Sequence, residues 1–221
     1  MSWGELFKVN NNPKKPINKL LFEKKYFPYR IITSTGTYKP EKTGLYRVIC
    51  VGAGGNGVYK TSSSNFKLYG GGGGGVAIKD MVLYSTTSYN VTVSTTASFN
   101  GTLTATAGLT ATGSYSNITQ TPDGGTASGG NYNYAGESGQ SGQVYRDPLT
   151  TIGGSVKAVI GELLTYRCET TRNGTLAYGD SLLGYGGGGS ATVFEDDGSY
   201  IDHVTYGLPA VVIIIPLEME E

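Results

Sequence analysis

A chain of 221 residues is long enough for one large β domain or two small ones, and its formal net charge of zero supplies no global field toward nucleic acid or a membrane surface. Only 15% of the residues are charged and 17 are Tyr, which excludes the highly charged, aromatic-poor composition of ordinary disordered chains. The two Cys, Cys50 and Cys168, stand far apart with no metal-ligand or Cys-x-x-Cys spacing, and His203 is the single His, so no common zinc site or Ser-His-Asp arrangement is signalled.

Residues 1–28 differ in texture from the rest. They are rich in Lys and Asn and contain Pro13, Pro16 and Pro28. A short helix is expected over Asn18 to Lys25. Trp3, Leu6, Phe7, Ile17, Leu20, Leu21, Phe22, Tyr26 and Phe27 are too many apolar residues for a solvated tail, so the stretch should pack on its own domain or on a partner. Eight Lys and two Arg lie within residues 1–47 against Glu5, Glu23 and Glu41, a basic start that is either a solvated face or a docking surface for an acidic partner. Met1-Ser-Trp-Gly-Glu5 lacks the basic-then-apolar pattern of a secretory leader, and the longest apolar run, Pro209 to Pro216, is too short to span a bilayer.

From Tyr29 onward the pattern is one of strands. Short β-branched or alternating runs occur at Tyr29 to Ser34, Thr37 to Lys39, Leu45 to Val51, Val76 to Val82, Ser88 to Ser94 and Leu103 to Ala107. Later runs are Ser155 to Ile160, Leu163 to Cys168, Ala191 to Glu195, Tyr200 to Thr205 and Ala210 to Ile215. Asp197-Gly198 is expected at the tip of a hairpin between the runs that flank it. Short strands at regular spacing, with no helical period after residue 30, predict a sandwich or jelly roll.

Glycine punctuates these strands: 35 residues in all, clustered at Gly52 to Gly57, Gly70 to Gly75, Gly124-Gly125, Gly129-Gly130, Gly153-Gly154 and Gly184 to Gly189. In Gly136-Glu-Ser-Gly139-Gln-Ser-Gly142 it recurs every third residue. A polyproline-II-type helix has three residues per turn, so this spacing sets glycine along one edge, where backbones can approach and pair. Residues 108–154, nearly free of aliphatic side chains, are either a mobile loop or are ordered without a conventional core.

Several motifs fail on context. Gly52-Ala-Gly54-Gly-Asn-Gly57 matches a dinucleotide fingerprint, but no amphipathic helix or βαβ alternation follows it. Gly70 to Gly75 is followed by Val76-Ala-Ile78 in place of the Lys-Ser/Thr of a phosphate-binding loop. The sequons at Asn90, Asn100, Asn117 and Asn173 reflect a Thr- and Asn-rich composition. Glu195-Asp196-Asp197-Gly198 with Asp202 lacks the spacing of a calcium loop and reads as a charged hairpin tip.

Taken together, Ile32 to Tyr38, Tyr46 to Gly55, the run Gly70 to Gly75, Tyr89 to Val93, Ser98 to Leu103, Gly184 to Gly189 and Gly207 to Ile215 resemble the glycine-rich domains of bacteriophage tail fibres and receptor-binding tail proteins. Met1 to Asn10 with Pro13 to Asn18 looks like the start of small tail proteins in phages and prophages of low-GC Gram-positive bacteria. Glycine-rich modules of similar look also occur on animal cell-surface receptors, which carry signal peptides and membrane spans.

The resemblance implies an all-β, jelly-roll-like sandwich with polyglycine-II-like loops over residues 29–221, preceded by a short, partly helical attachment segment over residues 1–28. It implies a non-enzymatic adhesin of a virion tail or phage-tail-like particle, a homotrimer with no cofactor and no metal. Trp3, Phe7, Leu21 and Phe22, rimmed by Lys14 and Lys15, would attach it to tail or baseplate proteins. Tyr59, Tyr115, Tyr132, Asn133, Tyr134, Tyr145 and Tyr185 would meet a bacterial surface glycan, since Tyr rings stack on sugar faces and Asn bonds to hydroxyls. Two rivals are a structural tail component that contacts only virion proteins and a tail-associated polysaccharide depolymerase. No nucleic acid and no membrane insertion are expected.

Overall fold

The computed structural model describes residues 29–62, 65–110, 112, 122–145, 149–150, 167–171, 174–178, 185–189, 191–196, 199–204 and 206–219. Among them there are strands and connecting segments and no helix. The strands are β1 (Arg30–Ile32), β2 (Gly36–Tyr38), β3 (Gly44–Val51), β4 (Val58–Ser62), β5 (Asn65–Tyr69), β6 (Val76–Leu83), β7 (Tyr89–Val93), β8 (Ala97–Phe99) and β9 (Leu103–Ala105). They continue with β10 (Ala127–Ser128), β11 (Tyr132–Tyr134), β12 (Ser141–Tyr145), β13 (Leu149–Thr150), β14 (Arg167–Thr171), β15 (Gly174–Tyr178), β16 (Ala191–Asp196), β17 (Ser199–Val204) and β18 (Val211–Met219). The helix expected at Asn18 to Lys25 and the strand expected at Ser155 to Ile160 lie outside the described residues.

Two five-stranded antiparallel sheets, in the orders β1-β18-β3-β6-β11 and β10-β9-β8-β7-β2, face one another. Alternation along β3 explains the layering. Tyr46, Val48 and Cys50 turn inward and pack with Val91, Phe99, Leu103, Val212 and Ile214 from both sheets. The rings of Tyr89 and Phe99 stack at 5.4 Å within this core. The Tyr46 hydroxyl donates to the Lys42 carbonyl at 2.7 Å, so its polar tip is satisfied despite burial. Ile49, Val51, Val76, Ile78, Val211 and Ile213 form a second buried cluster on the other face of the first sheet.

The β8–β9 connection is a tight hairpin at Asn100-Gly101, both with positive φ (51° and 67°), and the Thr102 amide donates to the Phe99 carbonyl. Paired left-handed residues suit the right-handed strand twist, which is why Asn-Gly sits there. The sequence signal was present in Phe99 to Leu103 and is a turn as well as a sequon. The hairpin expected around Asp197-Gly198 is formed by β16 and β17, paired from Ala191↔Val204 to Asp196↔Ser199.

The strands end in register at one end of the sandwich. β3 stops at Val51, β6 starts at Val76, β9 stops at Ala105, β11 stops at Tyr134 and β18 starts at Val211. From this end the chain runs into glycine-rich segments. β1 pairs antiparallel with β18, Arg30 opposite Ile214 and Ile32 opposite Val212, so Tyr29 enters from the opposite end. Met219, paired with Gly44, leaves at that opposite end too.

Candidate functional site

Seven extended segments make a middle layer: residues 52–57, 70–75, 106–110, 122–126, 135–140, 185–189 and 206–209. Their backbone bonds follow a period of three. In the central segment, Gly70 and Gly73 donate to Gln140 and Glu137, at 2.7 and 2.8 Å. Gly71 and Gly74 donate to Gly189 and Gly186, each at 2.7 Å. Gly72 and Gly75 donate to Leu109 and Thr106, at 2.9 and 3.0 Å. Every third amide thus reaches the same neighbour. The central carbonyls are used as well: Gly72 and Gly75 accept from Gly55 and Gly52, and Gly73 accepts from Gly125. Buried backbone groups are satisfied by other backbone, with no side chains needed between.

Close approach is what demands glycine here. A Cβ on Gly54 would stand 1.9 Å from the Gly187 carbonyl oxygen, one on Gly136 2.0 Å from that of Gly73, and one on Gly139 1.8 Å from that of Gly70. The Gly136-x-x-Gly139 spacing therefore lays its bare edge on the central segment. Where backbone partners run out, side chains close the rim. Asn56 accepts from the Gly207 amide through Oδ1 at 3.0 Å, and Thr110 Oγ1 accepts from the Asn56 amide at 2.7 Å.

Beyond this layer lies a second tier of small antiparallel sheets, β12-β5-β4, β13-β16-β17 and β14-β15, adjacent to one another. The chain crosses between sandwich and tier through the glycine segments: β3 to β4 by 52–57, β5 to β6 by 70–75, β11 to β12 by 135–140 and β17 to β18 by way of 206–209. In the first small sheet Tyr59 stands opposite Leu68, Tyr145 opposite Asn65, and Lys60 opposite Lys67, which in turn is opposite Gln143.

The expected contact residues are distributed over both tiers. Tyr59 and Tyr145 lie on β4 and β12 of the small sheet. Tyr132 and Asn133 are exposed, on the β11 edge of the sandwich. Asn133 closes its own turn: Oδ1 accepts from the Gly130 amide and Nδ2 donates to the Gly130 carbonyl, each at 3.0 Å. Tyr134 and Tyr185 are partly buried against the Ile49–Val211 cluster. Tyr115 and the attachment candidates Trp3, Phe7, Lys14, Lys15, Leu21 and Phe22 lie outside the described residues. Tyr206, 82% exposed beside the glycine layer, was not singled out by its sequence context, which is an isolated aromatic ahead of Gly207.

The electrostatics of the described part centre on one pair. Arg47 and Asp80 face each other in register and bond in a fork, Nε to Oδ1 at 2.7 Å and the second guanidinium nitrogen to Oδ2 at 2.8 Å. Arg47 holds the Asp80 carboxyl below its usual range. Burial pushes the free Cys50 thiol up to about 12, and burial likewise raises the Tyr38 phenol to about 12. No group of three His, Cys, Asp or Glu that could hold a metal occurs among the described residues. The chain matches no protein-family model and no curated protein.

Proposed function

We propose that this chain is a non-enzymatic tail-fibre or tail-tip adhesin of a phage or phage-tail-like particle, attached through residues 1–28 and binding a bacterial surface glycan. The observation that carries this reading is bipolarity. The chain enters the sandwich at Tyr29 from the direction away from the glycine layer, and the small sheets lie beyond that layer. A spacer made of paired backbone is stiff without a large hydrophobic core, which suits a part that must present a surface at a distance from its anchor.

In this reading the segments are polyglycine-II-type helices, with a departure at Gly186, whose φ is +74°; the three-residue bonding period of the central segment supports it. The jelly-roll-like description of the sandwich rests on the chain changing sheets at β1–β2, β2–β3, β6–β7 and β10–β11, while the β7 to β10 meander departs from it. Glycan contact falls to the outer tier, with Tyr59 and Tyr145 as its stacking residues. Tyr134 and Tyr185 serve the packing. A homotrimer multiplies a weak single site into useful avidity.

The test is particle adsorption with Tyr59→Ala and Tyr145→Ala. Adsorption lost from particles that still assemble supports the adhesin. Assembly lost, or no effect from either change, favours a structural tail component.

A further inference from the structure

Two hydrogen bonds bring three distant parts of the chain to one point on the rim of the glycine layer. Asn56 Oδ1 accepts from the Gly207 amide at 3.0 Å, and the Asn56 amide donates to Thr110 Oγ1 at 2.7 Å. Segment 52–57 is also paired through its backbone with both neighbours. The Gly54 amide donates to the Leu208 carbonyl and the Gly108 amide to the Ala53 carbonyl, each at 2.9 Å. A Cβ on Gly207 would stand 2.1 Å from the Gly54 carbonyl oxygen, and one on Gly55 2.0 Å from that of Leu109. The three segments have no room to slide, so the side chains they carry are held in fixed relation.

Those side chains combine an aromatic ring with oriented donors. Tyr206, next to Gly207, is 82% exposed, and Leu109, next to Thr110, is 56% exposed. Asn56, itself exposed, commits its side-chain oxygen to Gly207, which leaves the two hydrogens of Nδ2 to give. Thr110 accepts through Oγ1 and keeps its own hydroxyl proton to give. Among the described residues neither Asn56 Nδ2 nor the Thr110 hydroxyl donates to a partner. Segments 52–57, 106–110 and 206–209 contain no Lys or Arg. The adjoining segment carries the exposed Asp123, whose carbonyl accepts from the Leu109 amide.

This chemistry selects among ligands. A sugar ring has an apolar face to lie on Tyr206 and oxygens to accept from Asn56 and Thr110. A phosphate or carboxylate would meet no cation on these segments and would be repelled by Asp123. Two exposed apolar side chains are too small an area for a stable protein interface. We infer that Tyr206, Asn56 and Thr110 form a binding site for one neutral sugar residue. Tyr206 is its stacking platform, and Asn56 Nδ2 and the Thr110 hydroxyl are donors to its oxygens. The site is distinct from Tyr59 and Tyr145 of the outer tier and is fixed on the glycine layer itself. It rests on the adhesin reading only for the source of the glycan, a bacterial surface.

The test is NMR on the full isotope-labelled chain. The probes are the methyl glycosides of glucose, galactose, rhamnose and N-acetylglucosamine, with glycerol phosphate as the anionic control. At least one glycoside should shift the signals of the Asn56 side-chain amide and the Gly207 amide, and glycerol phosphate should shift neither. Tyr206→Ala, at a position whose exposure lets truncation leave the fold intact, should weaken that binding about tenfold. Asn56→Asp keeps an oxygen for Gly207 and removes the donors, so it should weaken binding to a similar degree. The amide signals of β3 and β18 should stay in place in both variants. The inference is overturned if no glycoside shifts these signals, if binding survives both substitutions, or if glycerol phosphate binds as well as the glycosides. The site and the adhesin reading fail separately. Glycoside contact at Asn56 in a protein that binds no cell upholds the site and sinks the adhesin. Cell binding without glycoside contact at Asn56 sinks the site alone.

Discussion

A Cβ built on Gly74 would stand 1.9 Å from the carbonyl oxygen of Gly52, while the Gly74 amide is held by Gly186 at 2.7 Å on another side. Backbone meets Gly74 on both sides, so an added methyl cannot be accommodated by a side-chain rotation. Gly74→Ala is expected to cost about 3 kcal/mol, or roughly 6–12 °C in Tm. Gly36 has nothing within 4 Å of the same position, so Gly36→Ala should change stability by about 0.5 kcal/mol or less. Urea denaturation of the pair checks the contrast. Equal effects would mean that the glycine layer is not packed as described.

Tyr134 and Tyr132 sit two residues apart on β11 yet differ in surroundings. Tyr134 packs against the Ile49–Val211 cluster, whereas Tyr132 is 56% exposed. Tyr134→Ala should destabilise by about 2 kcal/mol. Tyr132→Ala should stay within about 0.5 kcal/mol. The same denaturation experiment separates them.

The Arg47–Asp80 pair gives a defined acid response. Arg47 depresses the Asp80 pKa from its ordinary value of 3.8 in the folded chain, so the pair's stabilisation is complete above that value. It is lost as pH falls through the lower, folded value. Both side chains are about one-third exposed, 36% and 34%, which keeps the contribution small. Asp80→Asn should cost about 0.5–1 kcal/mol at neutral pH. The cost should shrink as pH falls below 3.8 and through the lower folded value, a convergence that stability curves for the two proteins will show.

How much of this was legible in the sequence depends on where side chains carry the signal. Leu45 to Val51, Val76 to Val82 and Ala210 to Ile215 mark strands β3, β6 and β18 because their alternation or apolar density reflects burial in the sandwich. β11 was missed, since Tyr132-Asn-Tyr134 is too short to alternate and lies between Gly129-Gly-Asn131 and Ala135-Gly136. β4 and β5 were missed because Ser62 to Asn65 interrupts them and Lys60 and Lys67 lower their apolar content. The predicted strand from Leu103 ran to Ala107, but the Thr106 amide leaves the sheet to bond Thr126. Glycine every third residue at Gly136 and Gly139 announced a bare edge. It could not name Gly73 and Gly70 as the partners, because backbone-to-backbone pairing leaves no side-chain record of its mate. For the same reason composition could not tell that Tyr134 packs on the sandwich while Tyr145 reaches the outer tier.

Cys50 sets an alkaline response. Its thiol is fully buried and its pKa rises from 9.0 to about 12 on folding. The folded chain therefore keeps a proton that the unfolded chain releases, so the thiol's contribution is complete below pH 9 and lost as pH rises toward 12. Tyr38, raised from 10.0 to about 12, adds to the same decline. Cys50→Ala should make stability fall less steeply between pH 9 and 10. In the native protein at pH 8, Cys50 should resist iodoacetamide and react only on unfolding, which mass spectrometry of the labelled peptide will show.

The adhesin reading is tested most directly by exposing intact Gram-positive cells, and their extracted wall polysaccharides, to the folded, fluorescently labelled protein. The expected result is strain-selective binding that disappears when wall glycans are removed and weakens with Tyr59→Ala and Tyr145→Ala. Folded protein that binds no cell and no wall polysaccharide would contradict it and favour the rival reading of a structural tail component.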